Sequence, residues 1–131
     1  MTIPMWCLLA GVILPYIWAG ASVPFRLKQF GTFDLARPRE QGNALTDAGH
    51  GVWGAQFNAW EAITVFAVAN LLAFMAGVSP EGQWSLAAIV WLVARVFHGI
   101  FYAANIPVLR VLCFGGGIIS SYWIIWLAAS H

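Results

Sequence analysis

The sequence predicts an all-α integral membrane protein built as an up-down bundle of four transmembrane helices, and three observations carry that prediction. Of 131 residues, 61% are hydrophobic and only 8% are charged, against roughly 25% charged in soluble proteins. A chain this short has too much surface to cover with so few charges. The apolar residues collect into four stretches, about 3–25, 52–78, 84–104 and 107–129, each close to the roughly 20 residues a helix needs to cross a bilayer. Hydrocarbon offers the backbone no hydrogen-bond partner, so these spans are read as helices rather than open strands. The whole chain, 1–131, is one membrane domain.

The first stretch carries no charged side chain. Ala19-Gly20-Ala21 looks like the cleavage site of a signal peptide. No positive charge precedes the apolar run, however, and Arg26 and Lys28 follow it. That polarity is reversed for a signal, so the segment is expected to be retained as a span. The polar segment at about 26–51 holds Arg26, Lys28, Arg37 and Arg39, four of the six basic residues. The positive-inside bias places this loop in the cytoplasm and both termini on the opposite side. Ser79-Pro80-Glu81-Gly82 turns outside, and the turn before Pro107, with Arg110 just after it, returns to the cytoplasmic face.

Trp6, Trp18, Trp53, Trp84 and Trp126 fall near the ends of the apolar runs, where indole rings favour the headgroup zone. Trp60, Trp91 and Trp123 lie further in, as packing or site residues. Cys7 and Cys113 sit in apolar runs without metal or redox spacing, and read as small apolar residues rather than a disulfide. Glycines Gly115-Gly116-Gly117 suit close helix approach.

These depths bring the polar residues of the spans into one layer. On the second span, Asn58 and Glu61 are three residues apart and share a face, with Gln56 nearby. On the third, Arg95, His98 and Tyr102 follow an i, i+3, i+7 face. Arg110 opens the fourth at the same level. An ionised side chain inside a bilayer costs at least ~2.5 kcal/mol unless paired or hydrated, so it is a functional-site candidate by default. Arg95 is the expected partner of Glu61. The layer suits a small anionic ligand with carboxylate and peptide groups; the bland alternative is a Glu61–Arg95 bridge that only fixes helix packing. No metal is expected, because no histidines or cysteines have ligand spacing. No nucleophilic triad or phosphate loop is present either. A net charge of +1 without a basic run excludes nucleic acid as a partner.

These residues resemble the MAPEG family, membrane-associated proteins in eicosanoid and glutathione metabolism. The second-span family pattern, Arg-Ala-Gln/His-x-Asn-x-x-Glu, is similar to Gly54-Ala55-Gln56-Phe57-Asn58-Ala59-Trp60-Glu61, with Phe66 beyond. The third-span pattern resembles Ala94-Arg95-Val96-Phe97-His98, ending at Tyr102, and Pro107-Val108-Leu109-Arg110 follows. Arg37-Pro38-Arg39 is similar to a loop element of bacterial members, which would place the chain in a bacterial inner membrane. The resemblance implies a homotrimer that binds glutathione as co-substrate between neighbouring subunits on the cytoplasmic side. It assigns binding to Arg26, Gln56, Asn58, Glu61, Arg95, His98 and Tyr102, and catalysis to Arg110, with Tyr102, through stabilisation of the thiolate. It departs at Gly54, where many members carry an arginine that contacts a glutathione carboxylate.

The function so implied is a glutathione-dependent transferase or peroxidase acting on lipophilic electrophiles or hydroperoxides, a detoxification chemistry. The alternative is a non-catalytic member that binds or presents a lipid, which the missing arginine favours. A proton-coupled multidrug exporter is a third class; it would carry its glutamate in the first helix, which has no charge here.

Overall fold

A computed structural model describes all residues 1–131 and contains five helices: α1 (Ile3–Phe30), α2 (Pro38–Asn43), α3 (Asp47–Met75), α4 (Gln83–Ala103) and α5 (Pro107–Ala129). All but α2 are long and apolar enough to cross a membrane. α1 packs along α3 and α4 along α5, with α3 also against α5 and α4 against α1. The four spans therefore form a closed ring in which α3 and α4 also touch across the centre, while α1 and α5 do not meet.

The first two spans differ from the expected bounds at the ends that flank the polar loop. α1 continues five residues further and stops where Gly31 takes φ +76°, its N–H bonding the Leu27 carbonyl. That left-handed cap is open to glycine without strain. α3 begins at Asp47 rather than 52 and runs for 29 residues, roughly 43 Å at ~1.5 Å per residue. It exceeds the roughly 30 Å hydrocarbon core, so an upright α3 has room for its polar first turns outside the hydrocarbon. α5 opens on Pro107, a favoured first helical position because no intrahelical N–H partner is lost there.

The core lies among α1, α3 and α4 and is closed by α5 through Ile124. The Phe66 and Trp91 rings stack at 3.8 Å between centroids and 5° between planes, surrounded by Cys7, Ile63, Ala69 and Ala88. Both cysteines are free thiols. Near the end of the bundle remote from α2, Trp84 Nε1 donates to Asn70 Oδ1 at 2.9 Å, and Asn70 Nδ2 donates to the Phe66 carbonyl at 2.7 Å. Both side chains are buried, and this pairing satisfies donors that lipid would leave empty. Trp84 is thus a core pin rather than the headgroup anchor expected from its position. Trp53 departs likewise: it is buried and donates to Asn43 Oδ1 at 2.9 Å. Trp6 and Trp126 do face outward.

Candidate functional site

Three helix faces meet at the end of the bundle where α3 and α5 begin and α4 ends. On α3 the face runs through Gly51, Gly54, Asn58 and Glu61; on α4 through Arg95, His98 and Tyr102; on α5 through Arg110, Phe114, Gly117 and Ser121. The spacings of three, four and seven residues put each set on one side of its helix. Glycine lets α4 approach α3 here: a Cβ on Gly51 would lie 2.6 Å from the Tyr102 carbonyl oxygen.

The seam holds two separate spaces. At the surface a cleft of about 800 Å³ is lined by Thr46, Asp47, His50, Tyr102, Asn105 and Arg110, among others. Asp47 and Asn105 are the two non-glycine residues with positive φ, at 51° and 55°, a conformation that Asp and Asn adopt more readily than other side chains. Deeper, a cavity of about 140 Å³ is bounded by Asn58, Glu61, Trp91, Arg95, Phe114 and Ser121. Arg95, His98 and Tyr102 lead from one space to the other along α4.

In the cleft, the Arg110 guanidinium lies over the Tyr102 ring at 4.4 Å, a cation–π contact. The His98 imidazole meets the same phenol edge-on at 5.6 Å. Below it, Arg95 is 4% exposed. Its Nη2 donates to the Asn58 side-chain oxygen and, at 3.3 Å, to the Asn58 carbonyl. The same nitrogen is 3.3 Å from His98 Nδ1, while the buried Nε has no partner.

The expected Glu61–Arg95 ion pair is not formed. Glu61 is exposed and accepts from Asn58 Nδ2 at 3.5 Å, and the chain's one ion pair is the surface contact of Arg37 with Glu40. The reason is helix rotation: Asn58 is turned inward toward α4, and Glu61 outward from the same face. Asn58 thus stands between the two charges and bonds both.

Arg26 also differs from expectation. It is 2% exposed and lies away from both spaces, under the loop. Its Nε donates to Ser22 Oγ at 3.1 Å, and its Nη1 to the Pro38 carbonyl at 2.5 Å and Gln41 Oε1 at 3.4 Å. Its guanidinium stacks between Phe33 and Trp53, at 5.0 and 4.7 Å. These contacts make it a strut that ties the loop and α2 to the bundle, not a free ligand-gripping cation. Gln56 is half-buried with an unpartnered Oε1 and lines neither space. His50, read as a loop residue from the sequence, is helical and borders the cleft. Its signal was one turn of spacing to Gly54, legible only if the polar stretch 47–51 is granted to the helix.

No cluster of three or more His, Cys, Asp or Glu residues has metal-binding geometry. No curated protein matches the chain significantly. The sequence pattern of the MAPEG family matches residues 3–130, which takes in all four spans, the loop and both spaces. This integral membrane chain belongs to the MAPEG family.

Proposed function

We propose that the protein is a membrane-embedded glutathione-dependent transferase or peroxidase that takes its second, lipophilic substrate from the bilayer. The observation that carries the reading is the Arg110 guanidinium over Tyr102 at the mouth of the 800 Å³ cleft. A fixed cation beside a thiol favours the thiolate, which is the nucleophile. The thiol proton leaves to water, and the thiolate sulfur bonds the electrophilic carbon as the leaving group departs with its electron pair. With a hydroperoxide, sulfur takes the terminal oxygen, the O–O bond breaks and an alcohol is released. A second glutathione then yields the disulfide and water.

Arg110 and Tyr102 are the catalytic pair in this account. Asn58, Glu61, Arg95 and His98 bind the tripeptide, Gln56 lines neither space and makes no contact with the tripeptide within the single chain, and Arg26 acts only through the loop it holds. Family membership supports glutathione as the thiol. Glu61, exposed on the single chain beside the deeper cavity, supports a homotrimer in which a neighbouring copy completes the site. The basic loop faces the cytoplasm of a bacterial inner membrane, where reduced thiol is available.

The test is glutathione-dependent turnover of a generic aryl halide by the purified protein in detergent. Turnover by the wild type, lost in Arg110→Ala at unchanged melting temperature, is the expected result. Absence of turnover, with melting unaffected by glutathione, would overturn the reading. It would leave the lipid-binding alternative, which Gly54 in place of an arginine favours.

A further inference from the structure

We infer that Gly54 is the positioning residue for the catalytic pair: its missing side chain is the seat of the Tyr102 phenol, and through that ring it places the Arg110 guanidinium. The catalytic role of Arg110 and Tyr102 rests on the proposed function; the packing of the phenol on Gly54 does not. A Cβ built on Gly54 would lie 2.6 Å from Tyr102 Cε1, 2.6 Å from Cζ and 2.7 Å from the hydroxyl. The phenol therefore rests on the bare α3 backbone, with the guanidinium covering the ring at 4.4 Å and His98 at its edge.

The neighbouring glycine on this face behaves differently, and the contrast separates seat from fold. At Gly51 the obstructing atoms are α4 backbone, the Tyr102 carbonyl oxygen and the Ala103 Cα, so a side chain there must push two helices apart. At Gly54 they belong to the tip of one side chain, which can swing. A methyl at position 54 requires the phenol to withdraw by about 1 Å to reach ordinary contact, while the helices stay in place. A misplacement of that size at a reacting group can cost about 10²-fold in rate. Gly54 thus matters to where the hydroxyl and the guanidinium sit, and little to whether the bundle forms.

The experiment compares wild type, Gly54→Ala, Tyr102→Ala and the double variant in detergent, by thermal melting, by the ultraviolet thiolate band with glutathione, and by ring-¹³C tyrosine NMR. The chain has three tyrosines, so the Tyr102 signal is assigned with Tyr102→Phe. Gly54→Ala is expected to melt like the wild type, to shift the Tyr102 ring signal, and to weaken the thiolate band, because the guanidinium follows the ring it covers. Gly54→Ala in the Tyr102→Ala background should change the band no further, since the seat has no occupant. An unshifted ring signal in Gly54→Ala, or an equal loss of the band with and without the Tyr102 ring, overturns the inference. A wild type without any thiolate band sinks the transferase reading instead, and the ring signal still decides whether Gly54 seats the phenol.

Discussion

Replacing Asn58 by alanine isolates the interaction that holds a buried cation in the membrane layer. Arg95 is 4% exposed and has no carboxylate within ion-pair distance. Its Nη2 is served by the Asn58 side-chain oxygen, the Asn58 carbonyl and His98 Nδ1. Asn58→Ala deletes the first of these and leaves the other two. A hydrogen bond to a charged group contributes ~1.5–3 kcal/mol, and removing one partner of a buried charge costs toward the upper end. The expected loss is therefore about 2–3 kcal/mol, or a melting temperature lower by about 6–12 °C for a chain of this size. Glu61→Gln is the matched control. Glu61 is exposed and touches Asn58 only at 3.5 Å, so its loss should stay within ~0.5 kcal/mol. Thermal melting of both variants in one detergent reads the pair. A Glu61→Gln loss larger than that of Asn58→Ala would refute the reasoning and return the counter-charge of Arg95 to Glu61.

Arg26→Ala should loosen the loop between α1 and α3 by removing its bonds to Pro38 and Gln41 and the stack on Trp53; limited proteolysis between residues 31 and 45 should accelerate several-fold, and Arg26→Lys should not rescue it, because an ammonium cannot reproduce the planar fork. Asn70→Leu leaves the buried Trp84 N–H without its acceptor, at ~1–3 kcal/mol, and combining it with Trp84→Phe should cost less than the two separate losses added together. Gly51→Ala drives a methyl against the Tyr102 carbonyl and should destabilise by ~1–3 kcal/mol through overpacking, visible as a lower melting temperature with or without glutathione.

Much of this architecture was legible because hydrocarbon imposes coarse rules. The fourth span, 107–129, agrees with α5 at both ends, since Pro107 marks one boundary and the apolar run the other. α3 began earlier than expected because Asp47 to Gly51 carry no apolar signal, although nothing in them forbids a helix. That one extra turn brought His50 to the cleft. The shared layer was readable from spacing, and Asn58, Arg95, His98 and Tyr102 do touch in sequence. Which partner Arg95 takes was not readable, because Asn58 and Glu61 lie within about 60° of each other on one helix face and only the rotation of α3 chooses between them. Arg26 escaped for a related reason. Its partners Pro38 and Gln41 sit on the short helix α2, whose return path leaves no periodic trace, and Trp53 sits in the early turns of α3. Trp53 and Trp84 looked like interface anchors by depth alone, and the asparagines that turn them inward lie ten and fourteen residues away.

The central claim, that glutathione is bound and ionised where Arg110 covers Tyr102, is tested most directly by an ultraviolet difference spectrum of the purified protein titrated with glutathione near neutral pH. Thiolate absorbs where thiol does not. The account predicts a saturable band in the wild type that vanishes in Arg110→Ala while the protein melts unchanged. A flat wild-type trace, or a band of equal height in Arg110→Ala, would contradict it.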